Sequence, residues 1–168
     1  MSRSVAGEPP AAGRRAAPTT AGPYSVIEWE LLTDLPGRVI VAAAQPGPGR
    51  PQRGVAAGLA GLDAVAAGRA FDSDLIRAVV AAIYARHDGA PSPAAQLTDL
   101  VEVLSACRAV VRVLDRRADP ADSAAYRQWV QSVAARVCRA APAVLPDGAL
   151  APADRRLLDR LGGALGLR

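Results

Sequence analysis

Few side chains in this chain are of types that do chemistry, and their spacing excludes most familiar sites. There is one histidine, His87, and there are two cysteines, Cys107 and Cys138, with no CxxC pair. A zinc site takes about four Cys or His ligands, so these three residues do not assemble one. No HExxH, ExxH or GxSxG occurs, and a phosphate loop ending in Gly-Lys is impossible in a chain without lysine. A Ser-His-Asp triad would have to use His87, which stands beside Asp88 where a helical pattern ends; a histidine there reads as a solvated or capping residue. Either cysteine with His87 makes a nucleophile pair on paper. Nothing in the spacing favours that over two buried thiols in a reducing compartment.

Two loops carry the remaining polar patterns. Gly47-Pro-Gly-Arg50 precedes a helical segment, as an anion-cradling loop would, with Arg50 and Arg53 to assist. Its prolines remove N–H donors, and no strand precedes it. Pro146-Asp-Gly-Ala-Leu150-Ala-Pro-Ala-Asp154 leads into a leucine-spaced segment. Read locally, Asp147-Gly148 makes a turn, and Asp154 is a first-turn acid favoured by the helix dipole.

Composition sets what must position these residues. The chain has 168 residues, enough for one domain. It is 51% hydrophobic, 21% charged and only 4% aromatic, so its core must be aliphatic, with Trp29, Phe71, Tyr84, Tyr126 and Trp129 as the few large anchors. Abundant Ala and Leu tilt the chain towards helix. All 20 basic residues are Arg, the signature of a GC-rich gene. They are scattered among Asp115, Asp119, Asp154 and Asp159, whereas nucleic-acid binding wants a clustered basic face. No run approaches the ~18 apolar residues of a membrane span, and the first residues lack the apolar region of a secretory signal. These features point to a cytoplasmic protein.

The helical pattern starts at Ser25. Ser25-Val-Ile-Glu28 matches a capping box, with Tyr24 and Trp29 placed as a hydrophobic staple. Residues 1–23, rich in Ala, Gly, Pro and Arg, bury too little to order and read as a disordered leader. A first helix is expected over 26–33, and a second from Asp34 or Leu35 with Pro36 in its first turn. A third follows over 53–68, burying Val55, Leu59, Leu62 and Val65 or Ala66. A fourth runs from a cap at Asp72 or Ser73 to Arg86. The fifth, 94–118, shows Leu97, Leu100, Leu104, Cys107, Val111 and Leu114 at alternating three- and four-residue steps, broadened by Val101, Val103 and Val110. That width marks it as the central helix. A sixth over 121–141 presents Tyr126, Trp129, Val130, Val133 and Val137. A seventh over 152–165 presents Leu157, Leu158, Leu161 and Leu165. No strand alternation appears. The expectation is an all-α, single-domain bundle or orthogonal array of about seven helices over 24–168.

The last loop and helix also resemble a known family. Asp147, Gly148, Leu150, Asp154, Leu157, Leu158, Leu161 and Leu165 to Leu167 resemble the loop-to-helix signature of the tellurite-resistance TerB-like helical domains, over residues 143–167. The resemblance implies a stress-related role and a divalent cation as cofactor, with Asp147 and Asp154 as metal ligands. The chain departs from that pattern where Arg139-Ala-Ala-Pro142 ends the preceding helix.

Three functions follow as expectations. The first is a non-enzymatic binding or scaffold module that presents an apolar groove or helix face to a protein partner or a second copy. The second is a divalent-metal protein using the 146–154 loop. The third is a small cavity-type enzyme, such as a biosynthetic cyclase, with a pocket lined by Trp29, Tyr84, Tyr126 and Trp129.

Overall fold

The structure, a computed structural model, describes residues 22–50, 53–87, 99–140 and 149–167. Among them are six α-helices: α1 (Val26–Ala44), α2 (Val55–Ala67), α3 (Asp74–His87), α4 (Leu100–Arg117), α5 (Pro120–Arg139) and α6 (Pro152–Ala164). A 3₁₀ turn, Gly68–Ala70, follows α2, and no strand is present among the described residues. The all-α expectation stands. Residues 1–21 of the expected leader lie outside the described residues, while Gly22 and Pro23 form a turn.

The capping box forms as its residues dictate. The Glu28 amide donates to Ser25 Oγ at 3.2 Å, and the Ser25 amide donates to Glu28 Oε2 at 2.9 Å. Tyr24 packs on Trp29 with ring centroids 6.0 Å apart, closing the staple.

The expected break before Pro36 is absent. Helix α1 runs through it, and this accounts for six helices rather than seven. A mid-helix proline removes one N–H and pushes on the carbonyl four residues back, which here is Leu32. That carbonyl is buried, and the Tyr126 hydroxyl donates to it at 2.6 Å. A side chain 94 residues away thus replaces the hydrogen bond that Pro36 cannot make. No local pattern carries that information.

Helix α5, rather than α4, is the hub. It packs against α1, α2, α3, α4 and α6, and it places Tyr126, Trp129, Val130, Val133, Ala134, Val137 and Cys138 in the core. Tyr126 and Trp129 meet edge to face at 5.6 Å. Asp119 caps α5, accepting from the Ala121 amide, and Pro120 sits in the first turn where it needs no partner. Helix α4 begins at Leu100, after Asp99, and buries one stripe from Val103 to Leu114 against α1, α5 and α6; residues 94–98 of the expected helix, Leu97 among them, lie outside the described residues. Its Val101 faces solvent. Ser73, as expected, caps α3 by accepting from the Ile76 amide.

The Leu32 carbonyl gives a coupled prediction. Tyr126→Phe leaves it unpartnered in the core and should cost ~1–3 kcal/mol. In a Pro36→Ala background the helix regains its own N–H, so the same substitution should cost much less. Denaturant unfolding of the four variants measures the difference.

Candidate functional site

Two places in the fold bear on function: the acid predicted from the last loop, and the outer face of α2.

Asp154 is the third residue of α6 and is buried. Its Oδ1 accepts from Arg50 Nε at 3.0 Å and from Arg53 Nη2. The side chains of Arg50, Arg53 and Asp154 are 10%, 1% and 5% exposed. Both arginines also close helix ends. Arg50 donates to the Ala42 carbonyl at 3.3 Å and to that of Ala43, in the last turn of α1. Arg53 donates to the Val137 and Cys138 carbonyls at 3.0 and 2.8 Å, in the last turn of α5. The charges match the dipoles, with guanidinium groups at two C-termini and a carboxylate at an N-terminus.

The Gly47–Arg50 loop is built to aim Arg50 inward. Gly47 and Arg50 exchange backbone hydrogen bonds of 3.0 and 2.8 Å, and Gly49 at φ +73° makes the turn. The anion cradle suggested by the sequence is therefore a helix-capping arginine turn. Asp147 lies outside the described residues. Asp154 meets two positive groups, which oppose a cation on that oxygen. Among the described residues, no three His, Cys, Asp or Glu side chains gather where a metal could sit.

The aromatic residues suggested as a cavity lining are each taken up in packing. Tyr126 and Trp129 are packed in the core. Trp29 stacks on Tyr24, and Tyr84 lies under the Arg69 guanidinium at 4.1 Å. Burial pushes the Cys107 thiol up to about 11 and raises that of Cys138 as well, so both stay protonated and unreactive at neutral pH.

The second place reverses an expectation. Helix α2 buries Ala57, Gly61, Ala64 and Val65, and leaves Val55, Leu59 and Leu62 at 80%, 54% and 55% exposure. Both leucines and Val55 face out, while Ala57, Gly61 and Ala64 face in together with Val65, which alone of the expected stripe is buried. Three contacts set this roll. Gly61 lies so near α1 and α5 that a Cβ there would stand 2.8 Å from Ile40 Cγ1 and Val137 Cγ2. Gly68 is as tight against Val80 and Trp129. As α2 tightens there, the Gly68 amide turns to Val65 and Ala66, and the Ala64 carbonyl accepts from Trp129 Nε1 at 3.3 Å. With Arg53 locked just before α2, the helix has no freedom to roll its leucines inward. The signal in the sequence was the glycine pattern: Gly61 and Gly68 permit a close approach that Leu59 and Leu62 would forbid.

Asp154→Ala should leave two buried guanidinium groups without their carboxylate and cost ~3–5 kcal/mol. Asp74→Asn, which breaks an exposed pair with Arg77, should cost under ~1 kcal/mol. Denaturant midpoints separate the two, and the first loss should persist in high salt.

The Cys107 thiol sets a pH dependence. Folding raises it from the ordinary 9.0 to about 11, so the folded chain holds this proton more tightly. Its stabilising effect is complete below pH 9 and is lost as the pH rises towards 11. Unfolding midpoints across that window should fall, and Cys107→Ala should fall less steeply.

No family model, curated protein or solved structure matches the chain.

Proposed function

We propose that this chain is a protein-binding module whose docking surface is the outer face of α2. The observation that carries this is the rigid outward presentation of Val55, Leu59 and Leu62, at spacings of four and three residues on one helix. A helix apolar on every side is normally buried on every side. From Gly54 to Gly68 the only charged residue is Asp63, yet one flank lies in water. Each exposed Val or Leu forgoes ~1.5–3 kcal/mol that burial would supply. Covering them is the most direct way to recover it.

The occupant that fits is a helix laid along α2. Its apolar residues, spaced by three and four, would enter the gaps beside Gly58, and a basic residue would meet Asp63. Ridges spaced this way pack helix on helix at about 8–10 Å between axes. The resemblance of residues 143–167 to TerB-like domains supports a place in a stress-response assembly. The alternative of a divalent-cation site at Asp147 and Asp154 has the two guanidinium groups on Asp154 against it.

The test uses a synthetic amphipathic helix with leucines at those spacings and one lysine, titrated by calorimetry. The wild-type chain should bind it at one to one. Leu59→Asp with Leu62→Asp should lose at least tenfold in affinity. Since both side chains already face water, the melting temperature should barely move. Binding unchanged in the double variant overturns the reading. Light scattering that shows a wild-type dimer, absent in the variant, makes a second copy the occupant instead.

A further inference from the structure

We propose that the cleft between the end of α4, the start of α5 and the turn after α6 binds a small carboxylate through Arg127. This inference is independent of α2. The cleft has a volume of about 290 Å³, room for a ligand of a few heavy atoms. Leu114, Ala118 and Leu167 supply apolar wall, and Arg127, Ser123 and Asp115 supply the polar groups.

The state of the Arg127 guanidinium carries the argument. Its side chain is only 17% exposed. Nη2 donates to Asp115 Oδ1 and, at 2.8 Å, to Ser123 Oγ. Nη1 lies against Gly166, where a Cβ would stand 3.2 Å away. Nε is covered in this arrangement and has no hydrogen-bond partner among the described residues. The Nε and Nη2 edge of an arginine is the fork that a carboxylate fits with both oxygens. Asp115 uses only the Nη2 half and leaves the other donor unspent.

Asp115 is itself 59% exposed, on the last turns of α4, so it is free to turn outward into water. A ligand carboxylate that enters the cleft replaces it, takes both donors and satisfies Nε. Its short aliphatic part then covers Leu114, Ala118 and Leu167. Gly166, at φ +68°, lets the tail after α6 turn close against the guanidinium and wall the site.

The ligand is either a free short-chain acid or the C-terminal carboxylate of a peptide. Protein-detected NMR titration of the full chain distinguishes them. The probes are isovalerate, an acetylated dipeptide ending in leucine, and the amide of each. The acids should shift resonances of the cleft and the amides should not. Binding by isovalerate assigns a free acid, and binding by the dipeptide acid alone assigns a peptide terminus. Arg127→Met should weaken binding at least tenfold. Arg127→Lys keeps the charge without the fork and should weaken it nearly as much. Asp115→Asn removes the competitor and should tighten it severalfold. Unshifted core resonances in each variant establish that the fold is intact. Amides that bind as well as acids, retained binding in Arg127→Met, or no binding even in Asp115→Asn overturns the proposal.

Discussion

Asp154 is where four helix ends meet. One carboxylate oxygen receives Arg50 and Arg53, and those two arginines hold the C-terminal carbonyls of α1 and α5. The same acid begins α6, and Arg53 stands two residues before α2. A buried ion pair is a poor source of net stability, because desolvation offsets most of the attraction. Its effect here is geometric. Each guanidinium has rigid donor directions, so the knot fixes where α2 starts and which way it faces. Apolar packing alone would tolerate several rolls of a helix made mostly of Ala, Gly, Val and Leu.

The second constraint is steric. Gly61 and Gly68 admit α1, α3 and α5 to within contact of the α2 backbone, where any larger residue would collide. With the near side filled by Ala57, Gly61, Ala64 and Val65, both leucines are left on the far side. An aliphatic chain with few aromatics has little volume to spare. It places its one deep aromatic pair, Tyr126 and Trp129, where each ring's polar atom mends an irregular helix. Tyr126 serves the carbonyl that Pro36 frees, and Trp129 serves the carbonyl freed where α2 tightens. The outward stripe of α2 is thus a consequence of how the core is filled.

The polar side chains divide into two groups by burial. Those at the core boundary, Arg50, Arg53 and Asp154, hold helix ends, with Arg53 Nε left without a partner among the described residues. Arg127 sits beside a cleft with its fork half used. The two thiols, held protonated by burial, belong with the core. Among the described residues, the outer face of α2 thus offers apolar area and the Arg127 cleft offers charge.

Sequence alone determined the features that depend on neighbours a few residues apart. Ser25 and Glu28 had to cap α1, Asp72 or Ser73 to cap α3 and Asp119-Pro120 to start α5, because each satisfies free amides within its own first turn. Three- and four-residue steps of apolar side chains marked the helices, and the missing alternation excluded strands. The site was legible only in part. Asp154 stood out as a first-turn acid, but its partners Arg50 and Arg53 lie about a hundred residues away. The continuity of α1 through Pro36 rested on Tyr126, and the face of α2 on Ile40, Val137 and Trp129. Periodicity shows that a helix has a large-residue face. Which face is buried is decided by the shape of what it packs against, and that shape exists only after distant segments have come together.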